Sequence, residues 1–479
     1  FQNDVTAADL ALAAREGYRS VEHAKRYTTL GMATDQGKTS GLNGLAILAD
    51  VTGRSIEETG TTTFRPPYTP VAMGAIAGRE VGKAFRPTRL TPTHQWAAER
   101  NAVFVEAGQW LRAQWYRKAG ETDWRDSVNR EVRTVRSAVG VCDVSTLGKI
   151  EVAGPDAGRL LDFVYANSVS NLKTGKMRYG LMLREDGHVL DDGTVARIGE
   201  DRYFLTTSTA HAEPVLRHLE FCHQVLMPSL DVSILPVTEC WAQLAVAGPR
   251  SRELLAKIVD GLDLSAAHFP HLSVAEITVC GQIPARLYRV SFSGELGFEI
   301  GVPADYGDSF IRLLAREGES LGLEPYGTEA MTVLRVEKGF PAAGELNGQT
   351  TPRDLGLERL LSTKKDFIGR ALQQLPAFND PDRPLLVSFA PVNRSDILRA
   401  GSHFLDVGAE PRIENDLGYM SSAVYSPTFG HYIGLGFLKR GSQRIGERVR
   451  AYDPVRNGDV IVEVGLPCRY DPKGGLARA

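Results

Sequence analysis

Cysteine is scarce and scattered. The chain has five, at 142, 222, 240, 280 and 468, and no two form a CxxC pair. That excludes a disulfide framework and a cysteine-based zinc site, and it suits a reducing compartment such as the cytoplasm. A surplus of either charge is lacking too. Against 58 acidic residues stand 55 basic ones, for a net charge of −3, so nothing in the balance recommends nucleic acid as a partner. No apolar run reaches the roughly 18 residues of a membrane span, and no signal-peptide pattern opens the chain. No GxGxxG fingerprint follows a strand, so neither a flavin nor an NAD site is expected within this chain. An initiator methionine is also missing: the chain opens on Phe1, in "FQNDVTAADL", as expected of a processed chain or a piece of a longer protein.

What is present is a globular composition, 43% hydrophobic and 24% charged over 479 residues, enough for roughly two to four domains. Residues 1–60 read as a small helical domain. Thr6 and Asp9 have capping-box spacing, and Leu10, Ala13, Gly17, Val21 and Ala24 recur at helical intervals. A second helix is predicted over 42–50, and Ser55 with Glu58 predicts a third, short one. Residues 61–93 hold Pro66, Pro67, Pro70, Pro87 and Pro92 and read as a linker, interrupted by a short apolar piece at 71–77. From about 94 to 375, helical segments (98–118 and 126–138) alternate with strands such as "GKIEVAG" (148–154) and "RYFLTTST" (202–209). "PAFNDPDRP" at 376–384 breaks the pattern, and 385–479 reads as a further domain, strand-rich up to 470 and ending in a frayed tail, "DPKGGLARA".

The stretch "GMATDQGKTS" (31–40) resembles a phosphate-cradling P-loop, but the likeness fails on two counts. The motif needs a shorter loop than the five residues between Gly31 and Gly37, and it should follow a buried strand. The preceding "EHAKRYTTL" is polar and helix-like. A connection between helices is the better reading, with Asp35 and Lys38 available to an interface.

Two carboxylates are more informative. Turn signals at Asp186-Gly187 and Gly199-Glu200-Asp201 bound a strand with Asp191 and Asp192 in its interior, where Asp is normally depleted. Neighbours on a strand face opposite ways, so only one of the two can enter a given pocket. A hairpin with Ile198 opposite Arg202 puts Asp192 opposite Ser208, and Asp192, Thr194, Thr206 and Ser208 on one polar face. The second carboxylate lies in "YRVSFSGELGFEIGV" (288–302). A hairpin turning at Gly294–Gly297 sets Phe292 opposite Glu299. A ring beside an inward carboxylate suits a flat heterocycle with adjacent N–H groups, such as a 2-amino-4-oxopteridine. In "HLEFCHQ", His218 and Cys222 have metal-ligand spacing, but no second ligand pair follows and no metal is expected.

Residues 94–475 resemble the aminomethyltransferase (glycine-cleavage T-protein) family. The likeness is carried by "VRTVRSAVGVCDVSTLGKIEVAGPDA" (132–157), "DDGTVAR" (191–197), "SGELGFEI" (293–300), "VLRVEKG" (333–339) and "SPTFGHYIGLGFL" (426–438). Across nearly the whole chain, "FQNDVTAADL", "EHAKRYTTLGMATDQGKTS", "GTEAMTVLRVEKG" and "KKDFIGR" resemble that family's branch of heterotetrameric sarcosine oxidase α subunits. The resemblance implies an α+β, T-protein-like cloverleaf, two α+β domains plus a C-terminal β-barrel, preceded by the small helical domain. It implies a tetrahydrofolate pocket with Asp192 as the catalytic carboxylate, Glu299 as the pterin anchor, and Tyr179, Leu147, Phe292 and Ser208 around it. Phe292 stands where T-proteins usually have Tyr, Ser208 replaces an Asn, and Met331 falls where T-proteins carry a folate-binding Arg. Arg335 and Glu337 are expected as structural ion-pair residues.

For function the resemblance implies capture of a one-carbon unit from sarcosine or a related N-methyl amine as 5,10-methylenetetrahydrofolate. The oxidising flavin is expected in a partner β subunit, beside further small subunits, and NAD in an N-terminal half preceding this chain. A stand-alone folate-dependent aminomethyltransferase and a non-catalytic folate-binding or assembly module remain alternatives. The absence of Cys in "EKGFPAAG" (337–344) counts against the assembly branch.

Overall fold

The computed structural model describes residues 3–64, 68–69 and 71–479. Pro66, Pro67 and Pro70 of the expected linker lie outside the described residues. The chain divides into two units at Pro87.

The first unit is helical. Helix Ala7–Arg15 starts on the Thr6/Asp9 capping box. At Gly17 (φ 98°) the chain turns, so the single stripe read from Leu10 to Ala24 is shared with a second helix, Val21–Thr28. Ser40–Thr52 follows, and the Ser55/Glu58 capping box starts Ile56–Thr59. Leu10, Val21, Ala24, Leu30, Leu45 and Leu48 form its core. The P-loop likeness has a local explanation. Asp35, buried at 4% exposure, accepts the Gly37 N–H at 2.8 Å, the Thr39 N–H at 3.2 Å, the Ser40 hydroxyl at 2.5 Å and the Thr39 hydroxyl. An internal carboxylate thus satisfies the loop amides that a P-loop would offer to phosphate.

The second unit opens with a departure from expectation. Instead of a helix over 98–118 there is a short helix, His94–Glu99, and then a hairpin. Asn101 (φ 58°) ends the helix, and the β-branched and aromatic residues of "NAVFVEAGQWLRAQWY" favour strands β2 (Ala102–Ala107) and β3 (Trp110–Tyr116). With β1 (Arg89–Leu90) these form a three-stranded sheet. The helix expected at 126–138 is present as Trp124–Ser137, started by an Asp123/Asp126 capping box.

The next strands are β4 (Val139–Asp143), β5 (Gly148–Ala153), β6 (Lys176–Leu183), β7 (Val189–Gly199), β8 (Arg202–Thr207), β9 (Ser233–Pro236) and β10 (Trp241–Ala247). After them come β11 (Val259–Asp260), β12 (Val274–Val279), β13 (Ile283–Tyr288), β14 (Gly297–Pro303) and β15 (Leu323–Pro325). They make a five-stranded sheet, β6-β7-β8-β5-β9, and a seven-stranded one, β11-β12-β13-β14-β10-β4-β15. Six further strands, β16 (Pro384–Pro391), β17 (His403–Leu405), β18 (Gly418–Ser426), β19 (His431–Lys439), β20 (Arg448–Asp453) and β21 (Gly458–Gly465), close into a barrel. Full closure leaves the barrel no free sheet edge.

Helix Thr328–Lys338 is held by buried ion pairs and reaches the barrel by hydrogen bonds to Ser422 and Ser426 of β18. Arg335 meets Glu345 at 2.7 Å, while Glu337 takes Arg136 at 2.6 Å and the Ser426 hydroxyl of β18 at 2.6 Å. These are the structural roles expected of Arg335 and Glu337. No helix among the described residues is long and apolar enough to cross a membrane.

Candidate functional site

Strand β7 pairs with β6 so that Leu181 faces Asp192 and Tyr179 faces Thr194. Tyr179 and Asp192 are therefore diagonal neighbours on one face, within reach of a long side chain. The Tyr179 hydroxyl donates to Asp192 Oδ2 at 2.8 Å. Burial, helped by the neighbouring Asp191 charge, raises the Asp192 carboxyl to about 6, with the Tyr179 bond pulling the other way. Burial and the Asp192 charge hold the Tyr179 phenol well above its ordinary value, so it stays a donor. Tyr165 adds a second phenol near both carboxylates, 1% exposed, with no partner for its hydroxyl among the described residues. Its ring lies where a Cβ on residue 180 would sit, at 2.6 Å, so position 180 of β6 needs glycine.

The β7–β8 register has the expected phase from Gly193 opposite Thr207 to Arg197 opposite Tyr203, with a bulge at Ile198 that brings Gly199 opposite Arg202. The Thr194 and Thr206 hydroxyls bond each other at 2.7 Å. Ser208 departs from the expected face. Its hydroxyl bonds Asp191 at 2.8 Å, not Asp192, because β8 ends at Thr207 and the chain turns behind β7.

Glu299 lies on β14, flanked by Tyr288 of β13 and Ala245 of β10. Residues directly opposite share a face, so these three form one row. Phe292 is therefore not opposite Glu299. Strand β13 ends at Tyr288, and 289–296 form a loop fastened by buried Arg289, whose guanidinium donates to Gly297 O at 2.8 Å. Phe292 is 40% exposed and stacks on Phe340. Glu299 accepts the Gln243 side-chain amide at 2.5 Å. Its carboxyl is raised by burial, while the amide and the Lys149 charge oppose that rise. Lys149, fully buried, donates to the carbonyls of Ser145 (2.8 Å) and Leu147 (3.0 Å), and burial lowers its ammonium to about 8. Residue-by-residue reading missed Gln243 and Lys149. Their signal was a polar residue in the mainly apolar strands "WAQLAVA" and "GKIEVA".

Leu147 packs, with Ala245, Met331 and the barrel's Val424, against one buried cluster. Val424 also packs against the cluster that Tyr179 joins. The barrel strand β18 is thus the common neighbour of the Tyr179–Asp192 side and the Leu147–Ala245–Glu299 side. No hydrogen bond among the described residues links Asp192 to Glu299. His218 and Cys222 stand one helical turn apart, with Sγ 3.9 Å from Nε2. Among the described residues no group of three or more His, Cys, Asp and Glu side chains is arranged to hold a metal.

A reduced pterin has adjacent N–H donors for an anchoring carboxylate and ring nitrogens that exchange protons with a basic one. Glu299, with only Oε2 hydrogen-bonded among the described residues, and Asp192, with a carboxyl raised to about 6, offer the complementary groups.

Comparison with known proteins agrees with this architecture. The GCVT N-terminal domain family matches residues 93–365, the glycine cleavage T-protein C-terminal barrel domain 385–471, and the sarcosine oxidase A3 domain 1–79. The sarcosine oxidase subunit alpha of Rhizobium meliloti (strain 1021) is 48% identical over 475 residues, covering 99% of this chain and 48% of that protein. The chain spans about half the length of the curated relatives of this kind. An aminomethyltransferase of Streptomyces coelicolor is 31% identical over 332 residues, 68% of this chain and 86% of the relative. The crystal structure of the glycine cleavage system aminomethyltransferase T from Bartonella henselae superposes with a TM-score of 0.68 at 23% identity, over 80% of this chain and 97% of that one. It shares the fold. With its matched domains, its relatives and its paired sheets and barrel, the chain belongs to the aminomethyltransferase (glycine-cleavage T-protein) family.

Proposed function

We propose that this chain is the folate-handling part of a sarcosine oxidase α subunit and captures a one-carbon unit as 5,10-methylenetetrahydrofolate. What supports the reading is a phenol-held Asp192 on one sheet and an amide-held Glu299 on another, in regions that both pack against Val424 of barrel strand β18. Similarity to proteins named sarcosine oxidase subunit alpha, over 99% of this chain, supports the choice of reaction. Met331 in place of an arginine separates the chain from stand-alone aminomethyltransferases.

Tetrahydrofolate, when bound, supplies the two nitrogens that take up the carbon. Glu299 accepts the pterin's adjacent N–H groups, and Gln243 fixes the orientation of that carboxylate. Asp192 is predominantly anionic at pH 7 with a carboxyl at about 6, so it accepts a proton from a reacting nitrogen and stabilises cationic character there. Tyr179 holds the Asp192 carboxylate in place, and Leu147 and Met331 contribute apolar wall. Oxidation of sarcosine or a related N-methyl amine would fall to a flavin-bearing β subunit, with small subunits completing a cytoplasmic complex and NAD held in a preceding half of the α subunit.

Calorimetric titration of tetrahydrofolate into the purified chain tests the binding half of this reading, and formaldehyde then tests the chemistry. Condensation above the spontaneous rate is expected, and Asp192→Asn should remove it while leaving folate bound. Undiminished catalysis by Asp192→Asn would contradict the assignment.

A further inference from the structure

Strand β7 carries a second carboxylate on its other side. Asp191 is 2% exposed, and its partners come from the segment after β8. The Ser208 N–H donates to Asp191 Oδ2 at 3.1 Å and the Ser208 hydroxyl to Oδ1 at 2.8 Å. His211 Nδ1 stands 3.0 Å from Asp191 Oδ1 and 3.0 Å from Ser208 Oγ. An ionised carboxylate only accepts, so Nδ1 carries the hydrogen in this contact. The imidazole is 38% exposed and lines a cavity of about 290 Å³ with Arg184, Leu190, Leu346 and Asn347. It is therefore open to solvent, whereas the Asp191 carboxylate is buried.

Asp191 and Asp192 point to opposite sides of one strand, so no group touches both. They interact through their fields. An unpaired charge one residue away, at an effective dielectric of about 20, displaces a titration by about one pH unit or more. Other charged or titratable groups nearby are Tyr179 from β6, Tyr165 beside it, and Arg184, which is paired with Asp186. None of them contacts Asp191. Among the described residues His211 is the basic side chain bonded to Asp191, and that bond raises the imidazole above its ordinary value against the effect of burial.

We propose that His211 is a positioning residue for the chemistry of Asp192: through its bond to Asp191 it neutralises the carboxylate behind β7 and keeps Asp192 available as the anion. This rests on the reading of Asp192 as the base, but the titration that tests it does not.

The full chain is labelled with ¹³C at the Asp carboxyls, and the Asp192 resonance is identified by its loss in Asp192→Asn. His211→Asn, which keeps a hydrogen-bond donor but no charge, should move the Asp192 midpoint up by about one pH unit or more. Asp191→Asn should move it down, and in the double variant the effect of His211→Asn should vanish. In the folate-dependent reaction, His211→Asn should shift the acid limb by the same amount, lowering kcat near neutrality and leaving the KM for folate unchanged. An Asp192 midpoint that ignores both single substitutions overturns the proposal. A moved midpoint with an unmoved rate profile upholds the coupling and sinks the reading of Asp192 as the base.

Discussion

Replacing Tyr179 with phenylalanine isolates one interaction of the site. The ring remains, and only the hydroxyl that donates to Asp192 at 2.8 Å is removed. A hydrogen bond to a charged acceptor contributes about 1.5–3 kcal/mol, and about 1.4 kcal/mol corresponds to one pKa unit. The loss falls on the ionised form, so the Asp192 carboxyl should rise by about one to two units from its value of about 6. At pH 7 the anionic fraction would drop from about nine-tenths to about half or less. The assay is folate-dependent carbon capture followed from pH 5 to pH 9. Tyr179→Phe should move the acid limb to about 7–8 and recover the parent rate above it, because the base is intact and only its proton affinity has changed. An acid limb that stays in place, or a rate depressed equally at every pH, would refute the reasoning.

Three further outcomes are expected. Glu299→Gln keeps size but gives up the second acceptor oxygen and the charge, and should weaken tetrahydrofolate binding about 10- to 100-fold by calorimetry. Asp192→Asn should raise the melting temperature at pH 7 but not at pH 4. The folded carboxyl binds its proton more tightly than the unfolded one, so stability falls as pH rises from 3.8 through about 6, by about 1–3 kcal/mol, and the amide escapes that loss. In the first unit, burial acts to raise Asp35, but the Ser40 and Thr39 hydroxyls and the Thr39 and Gly37 amides outweigh it and lower the carboxyl below its ordinary value. Its contribution is therefore present above the unfolded value and lost only as pH falls through the lower folded one. Asp35→Ala should destabilise this unit by about 2–4 kcal/mol, read as faster amide exchange at Gly37 and Thr39.

How much was legible in the sequence followed the range of the interactions. The Thr6/Asp9 and Ser55/Glu58 caps depend on three-residue spacings and were readable. The phase of β7 against β8 was readable from 193 to 197, but the turn itself differs: Gly199, not Ile198, pairs with Arg202, and a bulge at Ile198 restores the phase. The β13–β14 pairing was not readable, because buried Arg289 reaches across to Gly297 and turns what looked like a short hairpin into a loop. The 98–118 segment was misread because Ala and Leu at helical intervals masked the β-branched and aromatic content. Within the candidate site, strand parity separated Asp191 from Asp192, whereas Tyr179 and Leu147 entered only through the family resemblance. Lys149 and Gln243 had only a weak local signature, a polar residue in a mainly apolar strand, because what brings them to Glu299 is strand pairing across the fold.

The central claim, that Asp192 and Glu299 serve one pterin, is tested most directly by the structure of the chain bound to a reduced folate. The expected result has Glu299 within hydrogen-bonding distance of adjacent pterin N–H groups and Asp192 beside the ring nitrogen that receives the carbon, with Met331 and Leu147 against the ligand. A folate seated elsewhere, or touching one carboxylate while the other opens onto a separate cavity, would contradict it.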